Sequence, residues 1–374
     1  MRILHLVSIA TMTGPADPAL KIAQAQRNLL GHEAEIAYDT RREGDMPRRT
    51  VEHGVPARTE FALATKGGLW AALQDRRLLA RAFAEYDVIH AHATHDHGLA
   101  VLARSRGARA RLVRSVHHPR SLARRPLQAS VFARTDALTV VAEAHRALLF
   151  ANYPSTPRGR VFVMPGAVDP EIYAPSRDGM AFRRSVSIPE DALVFGMIAR
   201  FQPGRRQEVF IRALADVRAR TGLDLWLVLI GKGETQAMIE QEIAAAGLQD
   251  RARLYGFRDA DLPEAIKSCD VTVLLQEGSD AGCRAVLQSL SEEVPVIGAR
   301  YAAIEDALAG GALGALVRGD EVAELSAAIE ALARQSPEAR KNLGVLGRKR
   351  ILEHHTERAR VEALDRIYQL IRSG

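Results

Sequence analysis

Between Leu254 and Ala299 the chain switches between two periodicities, and few folds tolerate the result. Val271 to Leu275 is an unbroken apolar run of strand length, as a strand buried on both faces requires. A polar segment containing glycine, Gln276 to Gly282, follows it. Cys283 to Leu290 then has helical spacing, and Val294 to Ile297 reads as a strand again. Upstream, a short β-like piece ends at Gly256-Phe257, Asp259 to Asp261 offers a helix cap, and Leu262 to Ser268 fits a turn or two of helix. Doubly buried strands joined through helices belong to a parallel sheet. A loop that leaves the carboxyl end of such a strand and opens a helix presents free N–H groups and the positive end of the helix dipole, a setting suited to phosphate.

The same grammar begins at the first residues. Ile3 to Ser8 reads as a strand, Ile9 to Pro18 as a loop with Gly14, Ala19 to Leu30 as a helix closed by Gly31-His32-Glu33, and Ala34 to Tyr38 as a strand. Arg41 to Thr59 is polar and loop-like. Gly68 to Ala84 has helical spacing, with Leu69, Ala72, Leu73, Leu79 and Phe83 able to share a face. Strands are expected at 87–91, 112–116, 137–141 and 161–164, with a helix over Glu143 to Phe150. They are expected again at 193–199 and 225–230, each followed by a helix. A chain of 374 residues exceeds one ordinary core, so two α/β domains are expected. The boundary is placed near Ser176, giving domains over 1–175 and 176–355, with a last helix near Ala359 to Ile371 that could cross back onto the first domain. No apolar run approaches the ~20 residues of a membrane span. The apolar start is followed by Thr-Met-Thr-Gly-Pro rather than a cleavage site, so a cytoplasmic protein is expected. Cys269 and Cys283 lack metal spacing and are expected to be buried, reduced thiols.

Several stretches resemble the retaining, family-4 glycosyltransferases of GT-B fold. These are Gly31-His32-Glu33 after the first helix, D-V-I-H-A-H at Asp87 to His92, and Ser115-Val116-His117-His118. Others are V-D-P-E-I-Y-A-P at Val168 to Pro175, Ala199-Arg200 to Arg205, Gly231-Lys232-Gly233, and Val294-Pro295-Val296-Ile297. The resemblance covers nearly the whole chain. It implies a GT-B architecture, two Rossmann-like domains facing a cleft, with the first domain on the acceptor side and the second binding a nucleoside diphosphate sugar. It also implies transfer of the sugar, with retention, to a glycan or lipid-linked acceptor, without metal or other cofactor.

By the same resemblance, Arg200 and Arg205 bracket the donor diphosphate, and cations at a helix start oppose the dipole unless an anion sits there. His117 takes the place of a histidine near the donor sugar, to which it could donate a hydrogen bond. Gly14 stands for the paired glycines of the first loop. Gly256 and Phe257 occupy the nucleobase position, and amides from Gly282, Cys283 and Arg284 assist the diphosphate. The family carries two glutamates eight positions apart in the central stretch. Aligning on Val294 to Ile297 puts Asp280 at the first, for the donor sugar, and Gln288 at the second, for the ribose; another register starts the motif at Glu277-Gly278. Asp is a shorter carboxylate, and Gln keeps an acceptor while losing the charge. The alternative is therefore a catalytically impaired GT-B protein acting as a nucleotide-binding or scaffolding subunit; a sugar-nucleotide epimerase or hydrolase is a further rival.

Net charge is +6, and no acidic residue falls between His97 and Asp136, where Arg104, Arg106, Arg109, Arg111, Arg114, Arg120, Arg124, Arg125 and Arg134 lie. A solvated basic face is one reading. The other is a foot on an anionic membrane, peripheral on its inner face. With aromatics at 5% and no recognition-helix or RNP-like pattern, no nucleic-acid partner is expected. His90, His92, His95 and His97 invite a metal, but their place in the family's fourth strand makes them structural or cleft-lining. Asp259-Ala260-Asp261 is formally Asp-x-Asp and is read as a helix cap, so no metal is expected.

Overall fold

The structure, a computed structural model, describes residues 1–66, 68–105, 107–258, 260–276 and 283–373. The chain forms two compact units, one from Met1–Pro165 and the segment beginning at Glu357, the other from residues 166–276 and 283–356.

The first unit runs β1 (Arg2–Val7), α1 (Ala16–Leu30), β2 (Glu33–Tyr38), α2 (Met46–Glu52), α3 (Gly68–Glu85), β3 (Val88–Ala91), α4 (Thr94–Ala103), β4 (Arg111–Val116), α5 (Gln128–Ala133), β5 (Ala137–Val140), α6 (Glu143–Asn152) and β6 (Val161–Val163). Its parallel sheet has the order β2-β1-β3-β4-β5-β6, so the winding reverses between β1 and β3. The Gly31-His32 junction has a local cause. Gly31 takes φ 65°, its N–H bonds Arg27 O, and His32 N–H bonds Gln26 O, which ends α1.

The second unit runs α7 (Gly179–Ser185), β7 (Leu193–Ile198), α8 (Gln207–Thr221), β8 (Leu225–Ile230), α9 (Gln236–Ala245), β9 (Ala252–Leu254), α10 (Leu262–Lys267), β10 (Val271–Leu274), α11 (Arg284–Ser291), β11 (Val296–Ala299), α12 (Ala302–Ala307), β12 (Gly314–Val317), α13 (Val322–Ala333) and α14 (Pro337–His354). Its parallel order is β12-β11-β10-β7-β8-β9, with the reversal between β7 and β10. Every residue of β8 and β10 is buried, as their unbroken apolar runs demand. Arg183 fastens α7 to this sheet. Its guanidinium donates to Ser268 O, Glu190 O and Ala192 O and pairs with Asp270 at 2.8 Å.

The last helix, α15 (Glu357–Ser373), belongs to the first unit. Val361, Leu364, Ile367 and Tyr368 join the apolar face of α1 and the sheet, and Asp365 receives His32 Nε2 at 2.7 Å.

Three expectations change. The 41–59 segment contains α2, a short helix with Pro47 in its first turn, preceded by Asp45, whose carboxylate receives Met12 N–H at 2.7 Å. On α3 the inward face is Ala71, Asp75, Leu79, Ala82 and Phe83, while Leu69 and Leu73 point out. Asp75 draws the face round by accepting the Ala62 and Leu63 amides. Asp261 precedes α10 but makes no capping bond, because Arg258 holds its carboxylate at 2.9 Å. Asp259 lies outside the described residues. Among the described residues no helix is long and apolar enough to cross a membrane.

Candidate functional site

In open α/β sheets ligands lodge beyond the carboxyl ends of the strands where the winding reverses. In the second unit that point is flanked by the turn from β7 to α8 and the segment after β10. Arg200 follows β7 and is exposed, with no ion pair among the described residues. Its carbonyl is held by Gln207 Nε2 at 2.9 Å. Arg205 is half-buried one turn later, and its N–H bonds Gln202 O. Arg206, with φ 66°, opens α8. The two predicted cations therefore flank one tight turn.

The Gly231-Lys232-Gly233 loop presses on that turn. A Cβ on Gly231 would lie 2.0 Å from Ala199 O, and one on Gly233 2.1 Å from Phe201 O, so only glycine admits the approach. Phe201 N–H bonds Lys232 O, and Gly231 N–H bonds Gly256 O at 2.8 Å. These bonds place Gly256 beside the same loop, and Phe257, exposed, lies with its ring 5.4 Å from Lys232 Nζ. Across the reversal, Cys283 takes φ 49° at the start of α11 with Arg284 next to it, and Gln288 is buried one turn on. Asp280 and Gly282, and the alternative Glu277-Gly278, lie outside the described residues.

In the first unit the reversal is flanked by the β1–α1 loop and the end of β3. Gly14 is buried with φ 53°. The loop is braced by a segment the sequence reading treats as plain loop: Gly44 packs on Ala10, where a Cβ would lie 2.1 Å from the carbonyl oxygen, and Met46 N–H bonds Ala10 O. His117 follows β4, is buried, and its Nε2 lies 2.9 Å from His92 Nδ1. Burial, helped by the Arg114 and Arg360 cations and opposed by Asp17, pushes His117 down to about 3, so its ring is neutral. Arg360, on α15, and Asp17, on α1, are site neighbours that sequence reasoning missed.

The basic stretch is not one face. Arg114 is buried, and desolvation lowers it to about 10, opposed by Asp96. Arg104 pairs with Asp136 at 2.7 Å and Arg109 with Asp87 at 3.2 Å. Arg120, Arg124, Arg125 and Arg134 are exposed, and Arg106 lies outside the described residues. His97 is also buried but bonds Thr135 Oγ1, away from His117.

Residues 180–350 match the family described as Glycosyl transferases group 1, and residues 19–172 match Glycosyltransferase Family 4. The chain belongs to glycosyltransferase family 4. Its fold agrees with solved GT-B structures. A glycosyltransferase from Rickettsia africae superposes with a TM-score of 0.83 at 14% identity, covering 99% of this chain and 98% of that one. Anabaena Alr3699/HepE, in complex with UDP and glucose, superposes with a TM-score of 0.80 at 19% identity, covering 99% of each. Among curated relatives, a D-inositol 3-phosphate glycosyltransferase of Stackebrandtia nassauensis is 30% identical over 216 residues, 55% of this chain and 48% of that protein. The protein of the same name from Geodermatophilus obscurus is 28% identical over 295 residues, 72% and 65% of the two chains. The family-4 chain thus spans about half to two thirds of the length of these relatives.

Proposed function

We propose that this chain is a retaining glycosyltransferase that takes a sugar from a nucleoside diphosphate sugar. The observation that carries the reading is the paired placement of Arg200 and Arg205 around one turn at the winding reversal of the second unit. The UDP and UDP-glucose bound by Anabaena HepE support a nucleotide-sugar donor, and the names of the curated relatives support sugar transfer. During transfer the bond from the anomeric carbon to the leaving diphosphate breaks and negative charge grows on that oxygen. Arg200 and Arg205 stabilise it where it develops. The acceptor hydroxyl forms the new bond on the same face of the sugar and gives its proton to the departing oxygen. Gln288 holds the ribose and His117 meets the sugar. The acceptor is a hydroxyl on a glycan, a lipid-linked saccharide or, as the relatives' names suggest, a phosphorylated cyclitol.

A thermal-shift screen with UDP, GDP and ADP and their sugar conjugates, without and then with magnesium, tests this. A ligand that binds only the folded state raises Tm by mass action. One nucleotide class is expected to raise it. Arg200→Ala is expected to weaken that binding roughly 10–100-fold, the loss of one or two hydrogen bonds to a charged group at about 1.5–3 kcal/mol. No shift with any nucleotide would overturn the donor site and leave the scaffolding alternative.

A further inference from the structure

Behind His117 the first unit buries a row of polar side chains, and their hydrogen bonds form one unbroken path. His117 Nε2 lies 2.9 Å from His92 Nδ1. His92 Nε2 lies 2.9 Å from His5 Nδ1. His5 Nε2 lies 2.8 Å from Gln26 Oε1. Gln26 Nε2 donates to Tyr368 Oη at 3.2 Å. Tyr368 Oη lies 2.6 Å from His90 Nδ1, His90 Nε2 lies 2.8 Å from Ser115 Oγ, and Ser115 Oγ lies 2.7 Å from Thr139 Oγ1. All eight side chains are at most 9% exposed.

His5, His90 and His92 also bring nitrogens within 4.8 Å of one another, as metal ligands would. Yet all six of their ring nitrogens are engaged in the bonds just given, so the cluster reads as a relay. A neutral imidazole has one N–H and one lone pair. Orienting a single link therefore orients every other, and the whole path has two possible directions, related by turning over the Gln26 amide. The Tyr368–His90 link decides between them. At 2.6 Å it is shorter than the usual range for an N–H donor and lies within that of an O–H donor. An imidazole nitrogen is also a better acceptor than a phenol oxygen. Tyr368 thus donates to His90, its oxygen accepts Gln26 Nε2–H, and Gln26 Oε1 faces His5.

We propose that Tyr368, on the last helix, is a positioning residue that sets the tautomer of His117 through this relay, fixing Nε2–H inward and leaving Nδ1 as a lone-pair acceptor for a ligand hydroxyl. This reverses the donor role expected from the sequence. No hydrogen bond of His117 Nδ1 is found among the described residues. Neutrality of the relay, which the directionality needs, follows from its setting. Burial pushes His5 down to about 4 and His90 and His92 far below the usual histidine range, and the Arg114 cation adds to this for His90 and His92. Around His117 itself, Arg114 comes from β4, Arg360 from α15 and Asp17 from α1.

The test is long-range proton–nitrogen correlation on the full chain labelled with nitrogen-15 histidine. His5, His92 and His117 are each expected to show a protonated Nε2 and an unprotonated Nδ1. Tyr368→Phe is expected to turn His117 into a mixture of tautomers, and Ser115→Ala, beyond Tyr368 on the path, to leave it single. A wild-type His117 protonated on Nδ1, or one unmoved by Tyr368→Phe, would overturn the proposal. The wild-type spectrum decides even if a variant fails to fold. The kinetic arm rests on the glycosyl-transfer reading: Tyr368→Phe is expected to lower kcat about twofold, the share of molecules that a tautomer mixture leaves in the wrong form, with donor KM unchanged. An unchanged kcat beside a mixed His117 would overturn the positioning role. Failure of glycosyl transfer itself would leave the spectra standing, so the two ideas fail separately.

Discussion

Glu292 closes α11 with its side chain fully buried, and neither carboxylate oxygen finds a hydrogen-bond partner among the described residues. Desolvation, reinforced by Glu264 and opposed by Lys267, Arg177 and Arg348, pushes it up to about 9. The folded chain therefore carries a proton that the unfolded chain has already released near pH 4–5. Where the native state binds more protons, stability falls as pH rises, by about 1.4 kcal/mol per pH unit for one proton. The window used is pH 6.5 to 8. There His355, pushed down to about 4 by burial, and the buried histidines of the first unit add a slope of the opposite sign, equal in wild type and variant, and Cys269, pushed up to about 12, acts only at higher pH, so the difference between the two proteins isolates Glu292. Over that window wild type should lose about 2 kcal/mol through Glu292, and Glu292→Gln should not. The assay is urea unfolding followed by Trp226. It is buried in β8 of the second unit, whereas Trp70, the other tryptophan of the chain, is 84% exposed and so changes environment little. Equal pH slopes for wild type and variant would refute the reasoning.

Two further outcomes follow from the same geometry. Gly233→Ala must displace Phe201 O, which its Cβ would approach to 2.1 Å, so a stability loss of about 1–3 kcal/mol by urea unfolding is expected, together with weakened nucleotide binding. Gln288→Glu restores the family carboxylate on α11; a gain in turnover with nucleotide affinity little changed, measured by initial rates, is expected if the site has drifted from an active ancestor.

The fold was legible because both sheets are parallel and buried: runs such as LWLVLI and VTVL can hardly be anything but interior strands. The cation pair was legible because a short turn fixes its geometry locally. What escaped depends on distant partners. Asp261 reads as a cap until Arg258 takes its carboxylate. Leu69 and Leu73 read as core until buried Asp75 turns α3. Arg114 reads as surface because the spacing of arginines says nothing about which lies on a central strand. Arg360 and Tyr368 reach the His117 neighbourhood from a helix more than two hundred residues away in sequence, and no local pattern announces that. A signal for the relay was nevertheless present. Histidines at i and i+2 in D-V-I-H-A-H, and Ser115 with His117, place polar groups on one face of strands otherwise apolar.

That face is the reason to assign the relay a positioning task rather than a stabilising one. On β1, His5 stands between Ile3 and Val7; on β3, His90 follows Val88; on β4, Ser115 follows Val113; all of these valines and isoleucines share one apolar cluster with α1 and α15. The opposite face of the same strands, with Leu4, Leu6, Ile89 and Leu112, is packed by α3 and α4, and there the buried Arg114 of β4 faces Asp96 of α4 as a charge and countercharge rather than as part of a linked row. A fully satisfied buried hydrogen bond contributes only about 1 kcal/mol net, and a partner lost leaves a penalty of about 1–3 kcal/mol. Valine or leucine at the same positions would stabilise at least as much with nothing to leave unsatisfied. Stability alone therefore does not select eight linked polar groups between one face of the sheet and the two helices, α1 and α15, packed on it. The path ends on His117, at the carboxyl edge beside the winding reversal, and there a fixed tautomer has a use that an apolar core lacks.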